Sequence, residues 1–334
     1  MITNNNPSPL SAAESITLIR QYAAAAEQTG QLHPEQLQLI YKQNWFNLFV
    51  PRTMGGVGMS LPEGIRLQEL LARADGSFGW TVTLCSGANW FIGFMNKKLA
   101  ASLSSNKQVC LAGSGAPSGK AMLTENGYIV NGYWKYATGA PHATAFTANC
   151  IIEQNGVPVL QEDGSPLIKA FLFRKEEVEI HHTWNATGMR ATASHSFSVN
   201  ALHTGPDRCF TIEPGHARLP DLIFRFPFQH FAEVTIAANY CGIAFHFMDE
   251  CKPIFEERIK RHGYAIKEAC EMLEILGRTQ SKLEDARQLF HLILEKTWEN
   301  GSREKRWDAL DLENLKKACR TMVKLARSSV DDLY

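Results

Sequence analysis

Hydrophobic positions recur at two spacings along this chain, and the spacing changes twice. Up to about residue 108, apolar residues return every three to four positions, as on one face of a helix. Ile16, Ile19, Tyr22 and Ala23 mark one such face, Leu37, Ile40 and Tyr41 a second, and Leu67, Leu70 and Leu71 a third. Ser11-Ala-Ala-Glu14 has the spacing of a reciprocal cap, and Pro34 and Pro62 suit first helical turns. A loop with Pro51, Gly55, Gly56 and Gly58 breaks the pattern. Residues 77–95 are largely apolar (Phe78, Trp80, Val82, Leu84, Trp90, Phe91) and predict a buried helix despite Gly79 and Gly87. From 109 to 205 the runs become short, branched and aromatic. They predict strands at Val109–Ala112, Tyr128–Tyr136, Thr144–Ile152, Ile168–Phe173 and His195–Ala201, with turns at Asn126-Gly127, Asn155-Gly156 and Asp163-Gly164. After about 220 the helical spacing returns. It predicts a helix from Phe228 towards Glu257, another over Tyr264–Leu276, and a long one with Leu283, Ala286, Leu289, Phe290 and Ile293. The last carries Leu315, Ala318, Met322 and Leu325, capped by Asp308 or Asp311.

The order helical, β, helical predicts an α+β fold: a helical domain over 1–108, a small antiparallel β-barrel or sandwich over 109–205, and an antiparallel helical bundle over 206–334. With 334 residues the chain can bury a large core. Lys+Arg and Asp+Glu are both 34, so there is no basic excess of the kind a general nucleic-acid binder carries. No apolar run approaches the roughly 20 residues of a membrane span, and the opening MITNNNPSPLS has no secretory pattern. The eight cysteines are scattered singly, without zinc spacing, and read as buried thiols of a cytoplasmic protein.

The best-known chemical motifs fail. Gly113-Ser-Gly-Ala-Pro-Ser-Gly-Lys120 is no P-loop, because Ser114 stands at the required first glycine and Ala121 at the metal-binding hydroxyl. It reads either as a surface turn or as a loop whose amides meet a ligand. His181-His182 reads as a polar turn rather than a metal site. Two constellations remain. Asn131-Gly-Tyr-Trp-Lys-Tyr-Ala-Thr138-Gly139-Ala140 ends a strand on aromatics, a hydroxyl and a glycine. Trp184-Asn-Ala-Thr-Gly188-Met-Arg190-Ala-Thr192-Ala-Ser194 crowds hydroxyls around one Arg. On composition alone, each also reads as ordinary packing.

A family resemblance joins these pieces. Val50-Pro-Arg-Thr-Met-Gly-Gly56-Val-Gly58-Met-Ser60, followed by Glu69-Leu-Leu-Ala-Arg-Ala-Asp75-Gly-Ser77, resembles the N-terminal part of the acyl-CoA dehydrogenase superfamily. The strand ending at Thr138-Gly139 is similar to that family's flavin-facing strand, and Gly188–Ser194 resembles its Gly-x-Arg-x-Thr-x-Ser turn. Tyr240-Cys-Gly242-Ile-Ala244 resembles the first bundle helix. Gly79-Trp80 and the Ala112–Ala121 segment look more like the reduced-flavin-dependent hydroxylases than the dehydrogenases, whose Thr-Glu-Pro…Gly-Ser-Asp stretch is missing. Members usually continue some tens of residues past the position of Tyr334, and that tail carries a catalytic Glu or His.

The resemblance implies a flavin-dependent oxidoreductase using FAD or FMN, either a dehydrogenase acting on acyl thioesters or a hydroxylase acting on aromatics with a flavin reductase. The alternative is a non-catalytic relative that binds flavin or serves as a scaffold. By position, Thr138 and Tyr136, either side of Ala137, would face the flavin and donate a hydrogen bond near its N5 and O4, with Trp184 as a wall. Ser114 and Ser118, or Thr192 and Ser194, would supply hydroxyls for its phosphates. Glu233, in the apolar run Phe231–Ile236, and His230 are candidate bases, with His142 as a further one. The resemblance also implies a homo-dimer or homo-tetramer built on the bundle.

Overall fold

Residues 11–262 and 266–334 are described by a computed structural model of the chain. Its first helix, α1 (Ala12–Thr29), starts where the sequence predicts: the Ser11 hydroxyl accepts from the Glu14 N–H, and the Glu14 carboxylate accepts from the Ser11 N–H. Helix α2 (Pro34–Gln43) begins on Pro34 with a reciprocal cap between His33 and Gln36, and α3 (Leu61–Ala74) begins with another between Ser60 and Glu63. Helix α4 (Gly76–Asn89) is capped by Asp75, whose carboxylate accepts from the Phe78 N–H. It is apolar on every side because neighbours cover most of it, and a 3₁₀ turn over Trp90–Phe94 ends it. Helix α5 (Lys97–Ser104) leads into the sheet.

The sheet has eight strands: β1 (Leu111–Thr124), β2 (Gly127–Ala137), β3 (Ala145–Gln154), β4 (Val157–Pro158), β5 (Ile168–Arg174), β6 (Glu179–His181), β7 (His195–Thr204) and β8 (Cys209–Phe210). Their order is β6-β7-β2-β1-β3-β5-β8, with β4 beside β3. The sheet is mixed rather than antiparallel throughout, because β1 and β3 run parallel. The Gly113–Lys120 segment is no loop. It lies inside β1, and only the register against β3 shifts between Ser114 and Gly119. The β3–β4 turn is Asn155-Gly156, both at positive φ as a tight hairpin needs, whereas the β1–β2 loop is Glu125-Asn126, one residue before the predicted pair.

Three long helices follow: α6 (Phe228–His262), α7 (Ile266–Glu304) and α8 (Ala309–Leu333), the last capped by Asp308. The two predicted helices after α6 are one, since α7 runs unbroken through Leu276 and Leu283; Tyr264 lies outside the described residues. Helix α6 lies close against α3 because of Gly242. A Cβ there would press on the Glu69 carbonyl and come within 2.8 Å of the Ala72 Cβ. One core joins the N-terminal helices to the bundle, and a second, around Trp134, Phe146, Phe171, Phe173 and Phe197, belongs to the sheet. All eight cysteines are free thiols, and only Cys270 is exposed. Among the described residues no helix is long and apolar enough to cross a membrane.

Candidate active site

The end of β2 does not follow strand alternation. Between Trp134, opposite Phe197, and Ala137, opposite His195, β2 holds one residue more than β7. Tyr136 absorbs it with a left-handed backbone, φ +68°. This is a β-bulge, a device that re-aims the residues beyond it. Tyr136 would otherwise share the inward face of Trp134. Instead it is 63% exposed and packs edge-on against Trp184, ring centres 5.8 Å apart. Ala137 and Thr138 turn inward and are buried. Gly139 completes the turn at φ +73°, where a Cβ would sit 2.8 Å from the Cys85 sulfur.

Thr138 borders a cavity of about 160 Å³ between α4, the sheet and α6. Leu84, Phe91, Phe228, Phe231 and Ile236 supply most of its apolar surface. Trp90 stacks behind Phe231, centres 4.7 Å apart, and fixes that wall. On the sheet side, β1 contributes the small residues Ala112, Gly113, Ser114 and Gly115, and β3 contributes Thr147, Ala148 and Asn149; a Cβ on Gly115 would meet open space. Among the described residues the lining includes no ionisable side chain. Apolar cavities of about 150 Å³ hold a benzene ring.

Two hydroxyls at the cavity have fixed directions. Asn239, buried on the same stripe of α6 as Thr235 and Ile236, donates through one nitrogen to the Thr235 carbonyl (3.1 Å) and the Thr83 hydroxyl (2.6 Å). Thr83 Oγ1 therefore accepts, and its own hydrogen is free for an occupant of the cavity. Thr138 is the opposite case. Thr192 Oγ1 donates to the Met189 carbonyl (2.9 Å), so it can only accept from Ser194 (2.8 Å). Ser194 has then spent its hydrogen and accepts from Thr138 (2.9 Å). Each hydroxyl carries one hydrogen, so Thr138 Oγ1 offers only lone pairs to the cavity. It is an acceptor there, not the expected donor.

The turn that anchors this chain is held hard. Met189 and Ala193 both have left-handed backbones, at φ +58° and +44°. The Glu27 carboxylate, from α1, accepts from the N–H groups of Arg190 (3.0 Å) and Ala191 (3.1 Å), and the Gly139 N–H donates to the Thr192 carbonyl (2.8 Å). The Met189 carbonyl also accepts from Trp184 Nε1 at 3.0 Å and from the Thr192 N–H at 3.3 Å.

The residues expected at the site divide accordingly. Thr138 and Ser114 border the cavity. Ser118 does not; its hydroxyl donates to the Tyr133 carbonyl across β1 and β2. Thr192 and Ser194 are buried, with hydroxyls committed inside the protein, and Tyr136 and Trp184 form an aromatic pair on the sheet's outer side. Glu233 does not share the burial of its apolar neighbours. It lines an adjoining groove of about 830 Å³ between α6 and α8, which shares Phe228, Ala232 and Ile236 with the cavity and carries Lys316, Arg320 and Lys324 along the α8 side. His230 sits one turn away, its Nδ1 3.3 Å from the Glu233 carboxylate, and neither residue lines the cavity. His142 faces a third pocket, beside Tyr41 and Lys175, and burial together with the Lys175 charge pushes its imidazole down to about 4. Thr83 and Asn239 went unseen in the sequence, where the available signal was a polar residue inside each of two apolar helices.

The fold matches solved structures of hydroxylases: 3-HSA hydroxylase from Rhodococcus sp. RHA1 at TM-score 0.87 and 19% identity, over 96% of this chain and 84% of that one. XiaF from Streptomyces sp., in complex with FADH2 and glycerol, matches at 0.81 and 18%, over 96% and 84%. The chain therefore shares the fold of these proteins. In sequence the chain is similar to indole-3-acetate monooxygenase of Pseudomonas putida, 24% identical over 256 residues (76% of this chain, 64% of that protein). It is also 25% identical over 240 residues (69% and 61%) to the oxygenase subunit HsaA of a flavin-dependent monooxygenase of Rhodococcus jostii. The chain thus spans less than two thirds of the length of these relatives. No family model matches it.

Proposed function

We propose that the protein is the oxygenase component of a reduced-flavin-dependent monooxygenase that hydroxylates a small aromatic compound, with FADH2 or FMNH2 supplied by a separate flavin reductase. The observation that carries this reading is the ring-sized apolar cavity bordered by the Thr138 hydroxyl. The cavity itself has room for the substrate ring alone, so the flavin would lie along its sheet-side border, where Thr138, Ser114 and the backbone of Gly113–Gly115 would hold its edge, with Trp184 and Tyr136 behind. Bound there, reduced flavin supplies the activation of dioxygen and the transfer of one oxygen atom. The protein's part is positional: Phe91, Phe228 and Phe231 hold the ring and exclude water, and Thr83 donates to an oxygen on it. A thioester dehydrogenase would need a carboxylate facing the reacting carbon, and the described lining has none.

The test is a reductase-coupled assay with indole and phenol against a dye-reduction assay with acyl-CoA esters. Oxygen-dependent product in the first and none in the second is expected; the reverse result overturns the reading. Thr83→Val should weaken phenol binding about five- to tenfold, the worth of one hydrogen bond, and leave toluene binding unchanged. Calorimetric titration of both ligands checks it.

We also propose a homo-oligomer. Leu289, Leu292 and Leu310 of the bundle are more than half exposed, and exposed apolar surface of this kind tends to be covered by a partner. Light scattering should show a mass of at least twice 37.3 kDa; a monomer at micromolar concentration refutes it.

A further inference from the structure

We propose that the groove between α6 and α8 is a subsite for an anionic group, and that the substrate is an aromatic ring joined to that group by an aliphatic chain. This rests on the reading of the cavity as a ring site and adds to it the substrate's other end, with Arg320 and Lys324 as specificity-determining residues.

Charge along α8 is not distributed as on an ordinary solvated helix face. Glu257 and Arg261 on α6, Lys267 and Glu271 on α7, and Glu313 and Lys317 at the start of α8 are opposite charges one turn apart. From Lys316 to Arg327, by contrast, α8 holds Lys316, Lys317, Arg320, Lys324 and Arg327 and no carboxylate. Lys316, Arg320 and Lys324 follow at four-residue steps, so each repels the next, an arrangement that weakens a helix unless an anion answers it. All but Lys317 line the groove, and among the described residues none of those four has an ion-pair partner. Two carboxylates face the same groove, Glu233 and Asp331. Glu233 already has His230 Nδ1 at 3.3 Å and accepts from Gln229. Four cationic side chains thus stand against two carboxylates, in a chain whose net charge is zero. A cleft lined by one sign of charge over an apolar floor gathers the opposite ion. The floor here is Cys319 and Val323 from α8 and Phe228, Ala232 and Ile236 from α6. The three α6 residues also line the ring-sized cavity, so they are the partition between the two spaces. They stand four residues apart on one stripe of the helix, and Ala232 in the middle contributes a single methyl group, so the partition is thinnest there. Ile236 is 36% exposed, apolar surface that an aliphatic chain would cover. The cavity holds about 160 Å³ and has no ionisable side chain in its described lining, so it takes a ring and rejects a charge. The groove holds about 830 Å³ under a cationic rim. Together they fit one molecule with a ring at one end and an anion at the other, its chain crossing at Ala232.

The experiment is calorimetric titration of the full chain with 6-phenylhexanoate, with the uncharged 6-phenylhexan-1-ol, and with phenol as a ligand of the cavity alone. Ring and chain are the same in the first two, so their ratio isolates the anion. The acid should bind at least about tenfold more tightly than the alcohol at low salt. That ratio should shrink as added salt screens the α8 charges. Both long ligands should displace phenol. The double variant Arg320→Gln/Lys324→Gln should bring the acid down to the affinity of the alcohol and leave the alcohol and phenol unchanged. Both side chains are exposed, and removing like charges relieves the helix rather than straining it. Arg320→Lys/Lys324→Arg, which keeps the charges, should keep the preference for the acid. Equal binding of acid and alcohol by wild type, acid binding that leaves phenol in place, or an acid preference that survives the glutamine variant overturns the inference while the cavity reading stands. Failure of phenol, alcohol and acid alike to bind overturns both.

Discussion

Gly87→Leu is expected to abolish binding of aromatic ligands while leaving the fold as stable as before, or more so. Gly87 lies within α4 and lines the cavity. A Cβ built on it meets nothing closer than the Phe231 ring edge at 3.7 Å, an ordinary contact. The helix therefore accepts a side chain there, and replacing a mid-helix glycine removes a penalty of about 1 kcal/mol. A leucine then fills space that an aromatic ring would occupy. Binding of indole or phenol by ligand-observed NMR or calorimetry should fall by at least about a hundredfold, since overlap with a well-packed wall is not relieved by small shifts. Denaturant unfolding should show equal or greater stability. Retained binding would mean that the ligand lies elsewhere; a large loss of stability would mean that the space is not open.

The largest stability loss is expected at Glu69. This carboxylate of α3 is buried where α3 meets α7. It accepts from His291 at 2.6 Å and from Arg287. Burial alone would push the Glu69 carboxyl up, but the hydrogen bonds and charges of His291 and Arg287 outweigh it and hold the group below its ordinary value. Glu69→Ala leaves the buried His291 without its anion, while the partly exposed Arg287 keeps Glu284, and should cost about 3 kcal/mol in denaturant unfolding. The pH dependence has a definite sign. The group is more acidic folded than unfolded, so its contribution is complete above the ordinary value of 4.5 and is lost as pH falls through the folded value. Wild type should lose stability on acidification below about 4.5, and Glu69→Ala should lose less over the same range. Parallel curves for the two proteins would show that the ion pair contributes nothing to stability.

The helical, β, helical order was legible because each element carries its own period, and the caps at Ser11 and Asp308 because they are local in sequence. The Gly-x-Arg-x-Thr-x-Ser turn and the strand end at Thr138 were visible as separate motifs. Their joining was not: Thr138 and Ser194 are 56 residues apart, and nothing in either segment states that their hydroxyls meet. Glu69 stood in the sequence only as the start of the Glu69–Ser77 stretch, and its ion pairs were not legible because its partners lie 218 and 222 residues downstream. Glu233 looked buried because its sequence neighbours are apolar, yet only Phe231 and Val234 turn to the core, while Glu233 faces the groove beside α8 together with Ala232 and Ile236.

By itself, then, the sequence determined what depends on near neighbours: helix faces, strand runs, caps, and which hydroxyls and aromatics are available. The tertiary structure decided what depends on a residue count across strands or on contacts between distant segments. One extra residue in β2 relative to β7 sends Tyr136 outward and Thr138 inward, and only the pairing of those two strands reveals it. The direction of the Thr138 hydrogen is set in the same way, three hydroxyls away, at a carbonyl that only the fold brings within reach.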